Sequence, residues 1–236
     1  MHLAVLMTNT DESDFAQKHP KDGEKFSNLI SMVRPAWEVS VFAAKDGAFP
    51  DDITGFDGVI VTGSPASVHD PDPWVSTLLQ QIRIAYAAQV PLFGACLGHQ
   101  AIAVALGGTV VENPAGWGFG LIEMEVTHRP DWYDGPQTLL QYGAHIEHVT
   151  KLPAGAKEVF AAAHCANAGF VVGGRVYTTQ NHPEMTPEFI AALVEELGGK
   201  MGPEVTATAR ASLSRTADTE VFAQSIARFF EQASAA

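Results

Sequence analysis

A cysteine flanked by glycines, in Gly94-Ala95-Cys96-Leu97-Gly98, stands where the apolar run Val90 to Ala95 gives way to a helical pattern. A sharp turn between strand and helix forces such a residue into a strained, exposed position, as the G-x-S-x-G turn does for serine nucleophiles. Side chains at Gly94 and Gly98 would collide with neighbouring backbone at so tight a bend. A helix beginning at Leu97 aims its free N–H groups and the positive end of its dipole at Cys96, which favours thiolate over thiol. The N–H of Leu97 is then one arm of an oxyanion hole. The chemistry open to such a cysteine is nucleophilic acyl transfer.

A thiolate catalyst needs a base that becomes a general acid when the leaving amine departs. Nine histidines are present, and position selects His182, which follows the run Val176 to Thr179 within Gln180-Asn181-His182-Pro183-Glu184. Pro183 fixes the backbone, and two-residue spacing in an extended segment brings His182 and Glu184 to the same side. Glu184 then holds one imidazole nitrogen while the other faces the thiol. His2, His19, His69 and His128 lie near a terminus or in polar loops and read as solvated. His99, on the helix behind Cys96, reads as packed or hydrogen-bonded. Cys165 has no elbow around it and reads as structural. His145, His148, His164 and Cys165 follow no metal-ligand spacing, so no metal and no cofactor is expected.

The elements that must position these residues alternate in the first half. Leu3 to Met7, Glu38 to Ala43, Asp57 to Thr62 and Val90 to Ala95 read as strands; Gly23 to Val33, Pro73 to Ala88 and Leu97 to Leu106 read as helices. Such alternation predicts an α/β fold of three layers, a mostly parallel central sheet with helices on both faces. In the second half, Leu121 to Thr127, Lys157 to Ala163, Gly169 to Val172 and Val176 to Thr179 read as strands, the last two joined by Gly173-Gly174 as a hairpin. Thr186 to Leu197 and Thr219 to Gln232 read as closing helices, and Lys200 to Arg215 is ambiguous. With no repeat and no linker, residues 1–236 read as one domain.

Composition narrows the partners. Hydrophobic residues make up 46% of the 236, enough for a sizeable core, and the net charge is −13. That surface repels phosphate backbones and anionic lipids, and no basic cluster offsets it, so neither nucleic acid nor membrane is expected as a partner. The most apolar stretch, Ile84 to Leu106, is interrupted by Gln89, Pro91, His99 and Gln100 and does not read as a membrane span. The opening strand is too short for a signal-peptide core, and two cysteines without a secretion signal fit free thiols in the cytoplasm.

The elbow Gly94-Ala95-Cys96-Leu97-Gly98-His99-Gln100, the run Gln180 to Glu184 and the loop Val61-Thr62-Gly63-Ser64-Pro65 together resemble the class I glutamine amidotransferases. The likeness is greatest to stand-alone glutaminase domains of the GMP-synthetase type, with a flavodoxin-like sheet. Trp74, Ala105 to Gly108 and Gly116-Trp117 add to it. The resemblance covers about residues 50 to 185 closely, and the tail after Leu197 carries none of it. It implies that Cys96, His182 and Glu184 release ammonia from glutamine through a γ-glutamyl thioester. It also implies that Gly63 and Ser64 supply the second oxyanion arm through backbone amide, and that Gln100 lines the glutamine pocket. That role for the Gly63 turn agrees with its place at a strand end, where N–H groups face the carboxyl edge of the sheet. The chain departs from the family pattern at Asn181, where members often carry an aromatic residue. It departs again at His145-Ile146-Glu147, where the family has His-x-Asp on the substrate-binding side.

Three functions follow as expectations. The first is a glutaminase that passes ammonia to a synthase on a separate chain, since no ATP-pyrophosphatase or P-loop motif is present. The second keeps the same three residues but hydrolyses or transfers γ-glutamyl peptides or amides. The third is a binding module that retains the fold without catalysis, against which the intact Cys96, His182 and Glu184 speak.

Overall fold

Leu3, Ala4, Val5 and Leu6 are apolar without alternation, a pattern that suits a strand buried on both faces. In the computed structural model, which describes residues 1–235, they lie in β1 (His2–Leu6), with Leu3 and Val5 in one core and Ala4 and Leu6 in another. There follow α1 (Asp22–Val33), β2 (Glu38–Phe42), β3 (Gly58–Val61), α2 (Pro73–Ala87), β4 (Leu92–Ala95) and α3 (Leu97–Ala105). The second half holds β5 (Thr109–Glu112), β6 (Gly118–Val126), β7 (Thr138–His145), β8 (Glu147–Lys151), β9 (Ala156–Ala162), β10 (Cys165–Val172) and β11 (Val176–Thr179). The chain closes with α4 (Pro187–Met201), α5 (Pro203–Ser212) and α6 (Thr219–Ala235).

Nine strands form one sheet in the order β2-β1-β3-β4-β11-β10-β9-β6-β7, and β5 pairs with β8 in a separate ribbon. From β2 to β11 the strands are parallel; beyond β11 they run antiparallel. Phe26, Leu29 and Ile30 of α1 and Phe222, Ile226, Phe229 and Phe230 of α6 fill the core on one face. Leu78 and Ile82 of α2, with Ala101 and Ile102 of α3, fill the other. The expected three layers are present. Over the antiparallel end, Ile190 and Val194 of α4 and Ala209 of α5 pack on Phe119 and Tyr142. Among the described residues, no helix is long and apolar enough to cross a membrane.

Periodicity alone did not predict β5, β7, β8 or α5. In β7, Leu139 points to the main aromatic core while Tyr142 points to the small core under α4, and buried Gln141 breaks the apolar pattern between them. The ambiguous tail folds as α5 because its neighbours satisfy its polar residues. Thr206 donates to the Gly198 carbonyl at 3.0 Å, and Ser212 accepts from the Leu121 N–H at 2.8 Å.

Candidate active site

β3, β4 and β11 are adjacent and parallel, with Val61 beside Gly94 and Ala95 beside Thr179. All three therefore leave the sheet at one carboxyl edge, where ligands bind in open α/β sheets. Gly63 lies just beyond β3, Cys96 directly after β4, and His182 shortly after β11. Sheet order thus gathers residues far apart in sequence.

Cys96 has φ 51° and ψ −109°. A residue other than glycine is strained there by about 1–3 kcal/mol. The strain is held by hydrogen bonds on both sides: the Cys96 N–H donates to the Thr179 carbonyl at 3.0 Å, and its own carbonyl accepts from the Gln100 N–H at 3.1 Å. The Gly98 N–H donates to the Thr62 carbonyl at 3.0 Å and seats α3 on β3. A methyl group at Gly94 would lie 2.6 Å from the Gly98 carbonyl, and one at Gly98 would strike the carbonyl oxygen of Val61. Both glycines are required by this close approach, as the elbow pattern predicts. The expectation of an exposed cysteine needs correction, because Cys96 is only 4% exposed. Gly63 packs close to both Cys96 and the His182 ring.

His182 is fixed at both its backbone and its ring. Its N–H donates to the Tyr142 carbonyl at 2.7 Å, an isolated bridge to β7. Its Nδ1 donates to Glu184 Oε1 at 2.7 Å, and both side chains are buried. Its ring also lies close enough to Cys96 for the two to interact electrostatically. Burial by itself pushes the imidazole pKa down; the charges of Glu184 and Cys96, with the Glu184 hydrogen bond, outweigh it and hold the value well above the usual range. The arrangement is an imidazolium between a sulfur and a carboxylate, suited to protonating a departing amine.

Gly63 touches both partners. A methyl group there would lie 2.5 Å from His182 Cε1 and 3.3 Å from Cys96 Cβ. Its carbonyl accepts from the Thr8 hydroxyl at 2.9 Å, and the same hydroxyl is 3.0 Å from the Thr62 carbonyl. Thr8 therefore positions the peptide joining Gly63 to Ser64, a role no sequence signal marked, because only the β1–β3 pairing brings it there. The Ser64 hydroxyl accepts from the Ala66 N–H at 3.1 Å and shapes the loop. Leu97 opens α3, so its N–H has no acceptor within the helix.

Gln100 and His145 are both buried. The Gln100 amide donates to the Glu147 carbonyl at 2.9 Å and lies 3.4 Å from Gln180 Oε1. His145 is buried and stacks on His164, with ring centroids 5.4 Å apart. Neither of its ring nitrogens has a hydrogen-bond partner among the described residues. Burial first, then unfavourable coupling to the neighbouring His164, His182 and His99, push its pKa down to about 3, so the ring stays neutral. His99 sits against Thr178 Oγ1 at 2.8 Å, and its burial likewise pushes its pKa down to about 3. Burial pushes the Cys165 thiol up to about 12. Among the described residues, no three His, Cys, Asp or Glu side chains gather to hold a metal ion.

A cavity of about 370 Å³ opens beside His182. Gly63, Ser64 and Pro65 line it with the loop ahead of α1, with Met185 just before α4 and with Phe189 and Leu193 within α4.

A family model described as glutamine amidotransferase class-I matches residues 27–197. The chain is similar to gamma-glutamyl peptidase 3 of Arabidopsis thaliana, 25% identical over 203 residues, which span 82% of this chain and 81% of that protein. It is also 29% identical over 221 residues to a glutamine-hydrolyzing GMP synthase of Acinetobacter baylyi, spanning 86% of this chain and 39% of that protein. The crystal structure of a glutamine amidotransferase from Thermotoga maritima superposes with a TM-score of 0.76 at 20% identity, covering 98% of this chain and 97% of that one. The family model spans most of the chain: the protein belongs to the class I glutamine amidotransferase family.

Proposed function

We propose that the protein is a cysteine-dependent amidase that cleaves the γ-glutamyl amide bond, with Cys96 as nucleophile, His182 as acid and base, and Glu184 as the group that orients His182. The strained Cys96 at the strand–helix junction, electrostatically coupled to a histidine held by a buried carboxylate, carries this reading. The sulfur attacks the γ-carbonyl carbon, a C–S bond forms, and charge collects on the oxygen. The backbone N–H groups of Leu97 and of Gly63 or Ser64 receive that charge. As the C–N bond breaks, the departing nitrogen takes the proton of His182. Water then gives a proton to His182 and attacks the thioester, releasing glutamate and restoring the starting pair.

Glutamine is the simplest substrate of this reaction, with ammonia as product. The GMP synthase relative supports a synthase as the consumer of that ammonia. The γ-glutamyl peptidase relative supports a substituted amide in place of glutamine, with Gln100 and His145 behind the glutamyl side of the site. Two free, buried cysteines suit a reducing cytoplasm. Purified protein assayed for ammonia release from glutamine beside hydrolysis of γ-glutamyl peptides tests the reading. Release that depends on Cys96 supports it, and inactivity on both substrates leaves only a binding module of the same fold.

A further inference from the structure

The cavity lies on the imidazole side of the site: Gly63, Ser64 and His182 line it, whereas Cys96, Leu97, Gln100 and Glu147 do not. In the amidase reaction, on which this inference rests, His182 hands its proton to the departing nitrogen. The leaving amine must therefore occupy that side. Ammonia needs no more room than a water molecule, which takes up roughly 30 Å³ in the liquid. A cavity of about 370 Å³ is an order of magnitude larger and lies in the range that holds small organic ligands.

The walls say what kind of group fits. Phe15 and Phe189 form an aromatic corner with ring centroids 5.9 Å apart, extended by Leu193, Met185 and Trp117. The buried cation of the cavity, Lys25, pairs with Asp22 at 2.8 Å and lies 3.5 Å above the Phe189 ring. Asp22 also accepts from the Asn9 amide at 2.8 Å. The two buried charges therefore neutralise each other, with the ammonium covering one face of Phe189. Among the other charges of the lining, Glu12, Lys21, Glu196 and Lys200 are exposed, and Phe15, Met185 and Leu193 with the rest of Phe189 form the apolar part of the wall. We propose that the substrates are γ-glutamyl amides whose amine carries a large apolar group, aromatic or branched aliphatic, seated in the cavity against the adjoining Phe15 and Phe189 rings.

The test uses the full chain and three substrates: glutamine, γ-glutamylmethylamide and γ-glutamylbenzylamide. The expected kcat/KM for the benzylamide is about 10–100-fold above that for the methylamide, the discrimination a hydrophobic pocket supplies. Phe189→Ala should cut that ratio about tenfold. Phe15→Ala should act in the same direction, and it lies in the loop ahead of α1, so it keeps the test open if the first variant disturbs α4. Equal rates on all three substrates, or rates that fall with amine size, would overturn the apolar subsite and leave the amidase standing. A ratio unchanged in both variants would place the preference elsewhere and overturn the assignment to this cavity. No Cys96-dependent release from any of the three would overturn the amidase reading and this inference with it.

Discussion

At the scale of single residues, the charge of His182 is decided by a contest. Its burial favours the neutral ring, and Glu184 and Cys96 reverse the outcome. A folded-state pKa above the unfolded value means that His182 adds stability in full below about pH 6.5, and that this stability is lost as pH rises through the folded value. For catalysis, the alkaline limb of kcat/KM should lie above that pH in the native protein. In Glu184→Gln the limb should move to lower pH; an unmoved limb would remove Glu184 as its cause. Cys96→Ser and His182→Ala should each lower turnover by roughly four orders of magnitude, with Glu184→Ala leaving more activity. A glutamine-like chloroketone should label Cys96 and spare Cys165, whose thiol is held protonated by burial up to about 12. Peptide mapping that finds both cysteines equally labelled would count against the elbow.

Elements act through close approach. Gly98 packs against the backbone of β3 and Gly63 against the ring of His182, so the same substitution should give different results at the two positions. Gly98→Ala drives a methyl group into the carbonyl of Val61, which has no room to retreat. It should lower unfolding stability by about 1–3 kcal/mol in a denaturant titration. Gly63→Ala meets a side chain that can turn aside, so stability should change less. Displacing His182 should instead cost about 100-fold in kcat/KM. Equal stability losses at both glycines would contradict this division. The elbow was legible in the sequence because its glycines act within a few residues of Cys96. Strand β7 was not, because its residues serve two different cores and only pairing with β6 makes them a strand.

For the whole molecule, α6 closes the aromatic core beneath the sheet, where Phe229 packs at tilted angles on Trp132, Tyr177 and Phe230. Its outer side is tied to α1 by Arg34 on Glu231, at 2.6 and 2.9 Å. Glu231 is largely exposed, so the geometry of the pair is better than its energy. Phe229→Ala should destabilise the fold by about 3–5 kcal/mol, since a fully buried ring leaves a cavity that cannot collapse. Arg34→Ala should cost less than about 1 kcal/mol. Thermal or chemical unfolding of the two variants compares them directly, and a reversed order would mean that α6 is held by its surface.

By itself, the sequence determined what short-range sterics and patterning control. The glycines around Cys96 set the elbow, Pro183 places Glu184 beside His182, and runs such as Leu3 to Leu6 demand burial on both faces of a sheet. These constraints act over a few residues and leave a direct mark in the chain. The tertiary structure decided which strands became neighbours, and with that the meeting of Cys96 and His182 across β4 and β11. It also decided the anchoring of His182 on Tyr142, the burial of Cys96, and a cavity walled by the loop ahead of α1 and by α4. Strand order is set by how all the apolar faces of the chain are covered at once. No single segment carries that information, so it becomes visible only when the whole chain is folded.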